Sequence, residues 1–79
     1  DTLVFASDLL GVADVSNFTA GLGGDVLNLA ALGVDSITDL DIVYGTSDAT
    51  ITSDLFDGSI EVTFVGSATT FTSDNFIFA

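Results

Sequence analysis

Apolar and polar residues alternate in short bursts along this chain, with glycine and aspartate between the bursts. Leu3 and Phe5 alternate in a first run, and Leu27 and Leu29 do the same within residues 26–29. Leu40, Ile42 and Tyr44 mark one face of a third run. Ala49 and Ile51 open a fourth, and Ile60, Val62 and Phe64 line a fifth. A period of two places each set on one face of a strand, apolar side inward. Helix signals are poor, because the Thr, Val, Ile, Phe, Ser, Asp and Gly that dominate favour strands and turns.

Two turns follow from local chemistry. Asp57-Gly58 lies between two strand-like runs and suits a two-residue hairpin turn, whose central positions need positive φ. Gly45-Thr46-Ser47-Asp48 is a looser turn between the third and fourth runs. Together they predict an antiparallel meander over residues 40–44, 49–55 and 59–65. Alternation breaks across residues 30–40, where Ser36-Ile37-Thr38-Asp39 suits one short helical turn. The expectation is a single domain over residues 1–79. It is all-β, a small β-roll-like or β-sandwich-like domain of short, partly antiparallel strands with one short helical turn.

Composition changes the picture in one respect above all. The 79 residues carry 12 acidic side chains and no Lys, Arg or His, for a formal charge of −12. With no side-chain cation, no salt bridge is expected within the chain, and self-repulsion opposes compaction unless outside cations relieve it. Carboxylates, carbonyls and Asn amides suit calcium, whereas zinc and copper sites want the His or Cys that are missing. A domain this small buries only about 60–65% of its unfolded surface and usually needs a staple. Cysteine is absent, so the staple is a metal or a neighbour.

Several function classes drop out. Nucleic acid and anionic membranes need Lys or Arg, and no apolar run approaches the ~20 residues that cross a bilayer. Residues 1–20 lack the positive region of a cleavable secretory signal, so the chain is expected to be processed already or exported by another route. Hydrolytic triads need a base, and paired carboxylates acting on a glycoside need a cleft and tuning groups that are not evident. No enzymatic activity is expected. A carbohydrate-binding module would want an aromatic pair, and Tyr44 has no Trp or second Tyr beside it.

Gly21–Asp25 either bends around a cation, with Asp25 supplying charge, or forms a glycine-rich turn capped by Asp25. Asp1, Asp8 and Asp14 are candidates to share ligands at the same end of the sheet. Asp39 and Asp41 fall on one face if a strand starts there, exposed or bridged by a cation. Asp54 and Asp57 belong to hairpin chemistry. Asn17-Phe18-Thr19 matches the N-glycosylation sequon, a motif that often arises by chance. Apolar residues make up 48% of the chain, more than so small a core hides. Some of Leu9, Leu10, Phe56, Phe71, Phe76 and Phe78 are therefore expected to face a partner. Phe71, Phe76, Ile77 and Phe78 crowd the last nine positions and are the candidates for an intersubunit contact.

The segment Gly21-Leu22-Gly23-Gly24-Asp25-Val26-Leu27-Asn28-Leu29-Ala30-Ala31-Leu32-Gly33 resembles the stretch after the glycine-rich calcium repeats of RTX (hemolysin-type calcium-binding) proteins. Asp1–Phe5 is similar to the end of one such repeat, and Val15-Ser16-Asn17-Phe18 to a strand that follows. Ile37–Leu40, Asp57–Val62 and Phe71–Phe78 keep the order of that C-terminal flank. Repeats in multiple copies are absent, and Asn17 and Asn28 stand where the family pattern has Asp. The resemblance implies a secreted bacterial protein, exported unfolded by a type I system that reads a C-terminal signal such as residues 74–79. It further implies folding on external calcium, with Asp25, Asn17 and Asn28 as ligands, and Asp14 and Asp1 join them as candidates from their place in the first part of the chain.

Two functions fit. One is a non-catalytic extracellular structural protein that folds with calcium and assembles with itself into a fibre, sheath or surface layer. The other is the C-terminal folding cap and export signal of a larger secreted RTX enzyme or adhesin.

Overall fold

The computed structural model describes residues 1–5 and 11–79. Seven strands form two sheets: β1 (Thr2–Val4), β2 (Val12–Phe18), β3 (Val26–Asn28), β4 (Asp41–Tyr44), β5 (Asp48–Ser53), β6 (Phe56–Phe64) and β7 (Phe76–Ile77). One sheet has the order β1-β3-β7 and the other β2-β6-β5-β4. The chain passes from sheet to sheet as it advances, so β1, β3 and β7 lie parallel and β2 lies parallel to β6. The antiparallel hairpins β4–β5 and β5–β6 widen the second sheet. The architecture is all-β, as expected.

The meander is where alternation places it, with one correction. Ser53 pairs with Phe56, so the hairpin turns at Asp54-Leu55. Asp57-Gly58 lies inside β6, where three residues oppose Thr52 alone and form a bulge. Glycine there relieves a bulged backbone. Gly45–Asp48 closes the β4–β5 turn through the Gly45 amide and the Asp48 carbonyl at 2.9 Å. The helical turn expected at residues 36–39 is present as Ile37–Asp39, and two more 3-10 turns occur at Ala30–Leu32 and Ser73–Asn75.

Inward rungs cross the four-stranded sheet. Ile42, Ile51, Ile60 and Ala13 form one, and Tyr44, Ala49, Val62 and Val15 the next. Ile51, Ile60 and Val62 are fully buried, and each contributes roughly 1.5–3 kcal/mol by leaving water. The opposite face is polar, with Thr50, Glu61 and Asp14 on a shared rung.

In the three-stranded sheet the inward rung is Leu3, Leu27 and Phe76. Phe71 joins the two sheets. Its ring lies 5.4 Å from Phe18, 5.0 Å from Phe64 and 5.0 Å from Phe76 between centroids. Phe56, Phe71 and Phe76, among the six candidates of which some are expected to face a partner, are core residues. Leu9 and Leu10 lie outside the described residues.

Candidate functional site

The glycine loop 19–25 connects β2 to β3 and turns back tightly. The Asp25 amide donates to the Thr19 carbonyl at 2.7 Å, and the Gly24 amide donates to the Gly21 carbonyl at 3.0 Å. Gly21 and Gly23 hold positive φ, at 92° and 78°. A Cβ on Gly24 would overlap the Thr19 carbonyl oxygen. The loop is glycine-rich because the backbone approaches itself there.

Asp25 is committed to this loop. Its Oδ2 accepts the Thr19 amide at 2.9 Å, and its Oδ1 accepts the Asp1 ammonium at 2.9 Å. The Asp1 hydrogen bond, then the Thr19 amide, hold this carboxyl below its ordinary pKa against an opposing effect of burial. The expectation that no salt bridge forms is thus corrected: the cation is the α-amino group of Asp1, not a side chain.

Asn75 is the residue that the sequence does not advertise. It is fully buried. Its Oδ1 accepts from the Gly21 and Thr72 amides, both at 2.9 Å. Its Nδ2 donates to the Gly21 carbonyl at 3.1 Å and the Asp25 carbonyl at 2.9 Å. One amide side chain therefore fastens the glycine loop to the segment before β7. The spacing Thr72-x-x-Asn75 forms a capping box, and this is the signal a closer reading of the sequence would use.

A cleft of about 370 Å³ opens at the end of the sandwich, between β1 and β2. Leu3, Val15 and Phe18 form its apolar floor, and Asp1, Asp14, Asn17 and Asp25 stand around it. Four of the five expected ligands thus lie on the lining of one cleft. The fifth, Asn28, lies on β3, with its Oδ1 accepting the Ala30 amide at 3.1 Å. Asn17 is exposed at a bulge in β2, at φ 59°.

The donor set does not amount to a built metal centre. Among the described residues no three carboxylates stand together to hold a metal ion. Both Asp25 oxygens already serve backbone or terminal donors. Asp39 sits in a 3-10 turn and accepts the Asp35 amide at 3.3 Å, so it does not share a strand face with Asp41. Asp8 lies outside the described residues.

Of the expected contact residues near the end of the chain, Ile77 is exposed and Phe78 half-buried, its ring stacked on Phe76 at 5.5 Å. No protein-family model matches the chain, and neither a curated protein nor a solved structure gives a match.

Proposed function

We propose that this is a non-catalytic extracellular structural protein that associates with itself into a fibre, sheath or surface layer, with calcium assisting. The supporting observation is where its apolar side chains are exposed. Leu22, Ile37, Leu55 and Val65 are exposed in turns and connections, and the large apolar side chains exposed on strands are Val4 on β1, Val12 on β2, Val43 and Tyr44 on β4, and Ile77 on β7. These are the four edge strands among the described residues. The interior strands β3, β5 and β6 expose no large apolar side chain.

An edge strand offers unpaired amides and carbonyls to another chain. Lys and Pro, which commonly block such edges, are missing from the whole sequence. Only carboxylates oppose the approach. Calcium enters as the counter-ion to a charge of −12, spread over exposed carboxylates and the acidic cleft. At free calcium ~100 times a dissociation constant, binding to the folded form contributes about 2.7 kcal/mol. Secretion by a type I route follows from the resemblance to RTX proteins.

Sedimentation in millimolar calcium, in chelator, and in sodium chloride of matched ionic strength tests this. The expected result is assembly in calcium and dissociation in chelator. A monomer under all three conditions refutes the proposal.

The open cleft supports a second reading, the C-terminal cap and export signal of a larger RTX protein. β1 and β2 flank the cleft as parallel-capable edges, so a preceding coil of a longer chain fits there. Intact mass of the native protein separates the two: close to 8.1 kDa for the first, far larger for the second.

A further inference from the structure

Strand direction at the two ends of the sandwich gives assembly a geometry. In the three-stranded sheet all strands run one way, so edges β1 and β7 are parallel. In the four-stranded sheet β2 is parallel to β6, and two antiparallel steps make β4 parallel to β6 as well. Edges β2 and β4 therefore run the same way. A copy displaced along the sheet and turned only by the sheet's own twist presents its β2 to the β4 of its neighbour in parallel. On the self-association reading above, we infer that copies join head to tail by pairing β4 of one with β2 of the next, Val43 beside Val12.

Three observations select this pair of edges and this register. The four-stranded sheet is wider by one strand, so under such a displacement its edges meet while β7 and the next β1 stay a strand's width, about 4.8 Å, short of pairing. Val43 and Val12 both lie on the outer face. Val43 shares the rung of Thr50, Glu61 and Asp14, and Val12 is two positions before Asp14. They are 69% and 60% exposed, so setting one against the other covers both.

Charge and size favour the same register. With Val43 beside Val12, Asp14 falls level with Gly45, and Tyr44 falls level with Ala13 on the inner face. A shift of two residues toward Asp14 would set a carboxylate against each valine. A shift of one would turn the apolar face outward. Repetition of a displacement with a turn about the same axis is a screw and does not close, so it yields a filament rather than a ring. The carboxylates along both edges make it dependent on counter-ions.

The absence of native cysteine permits a direct test. Val12→Cys protein labelled with nitrogen-15 is mixed with unlabelled Val43→Cys protein, in calcium under mild oxidation, where unmodified protein sediments as an assembly. Both positions are exposed, so the core is untouched. Only the inferred pairing brings these two Cα atoms within disulfide reach, so mixed dimers should outnumber like-with-like dimers about tenfold by mass spectrometry. Dominant dimers of one variant with itself would show two-fold pairing and overturn the inference. Assembly without cross-linking would place the contact on another face and overturn it too, while leaving self-association standing. Absence of assembly would remove both.

Discussion

The four-stranded and three-stranded sheets share one core but are held by different means. Three strands of the wider sheet, β4, β5 and β6, are neighbours in sequence joined by short turns, and their Ile and Val rungs continue onto the distant β2. The narrower sheet has strands of three, three and two residues. Its partners come from distant parts of the chain, and its register depends on the Asp25 loop, on Asn75 and on Phe71. Local pairing tolerates loss of one contact, because the turns hold the strands in register. Distant pairing does not, because each contact also has to offset the closure of a long loop.

Substitution at the shared point should have the largest effect. Phe71→Ala removes the ring that contacts Phe18, Phe64 and Phe76, and should cost about 4 kcal/mol in denaturant unfolding. Retention of wild-type stability would break the view that one aromatic group couples the sheets. Asn75→Ala leaves the Gly21 and Thr72 amides and two carbonyls without their partner, and should cost about 3 kcal/mol. Amide exchange sharpens this case: β1, β3 and β7 should lose protection while β5 and β6 keep theirs. Uniform loss would mean that the two sheets unfold as one.

Gly24→Ala forces a methyl group onto the Thr19 carbonyl, and about 2 kcal/mol of destabilisation is expected in the same assay. Ile60→Val, in the middle of the wider sheet, should cost only about 1 kcal/mol and leave the three-stranded sheet protected. A greater loss than at Gly24 would reverse the comparison.

The smallest effect concerns acid. The folded-state pKa of Asp25 is depressed, so its contribution is present above the unfolded carboxylate pKa and is lost as pH falls through the folded value. Stability measured against pH should therefore fall less steeply on the acid side for Asp25→Asn than for the wild type. Parallel curves would show that the hydrogen bonds from Asp1 and Thr19 do not hold this carboxylate in solution.

Much of the wider sheet was legible, since Ile60, Val62 and Phe64 alternate and their partners lie one turn away. β2 was harder, because the bulge at Asn17 puts the buried Val15 and Phe18 three positions apart and hides the period of two. The hairpin turns three residues before Asp57-Gly58, a dipeptide that suits a bulge as well as a turn. For the candidate site, Asp1, Asp14, Asn17 and Asp25 were visible as polar candidates, and the structure places them on the lining of one cleft without gathering them into a metal-holding group. Asn28 and the commitment of Asp25 to its own loop were not visible, because both depend on backbone donors whose positions the loop sets.

By itself the sequence determined the all-β class, the meander and the absence of side-chain cations. These follow from short-range periodicity and from composition, which need no partner to be known. Only the tertiary structure decided that β1, β3 and β7 are parallel, that Phe71 and Phe76 belong to the core, and that Asn75 fastens the glycine loop. Each of those depends on residues far apart in the chain. Parallel strands carry no turn between them to mark the pairing, and one buried amide has no period to betray it.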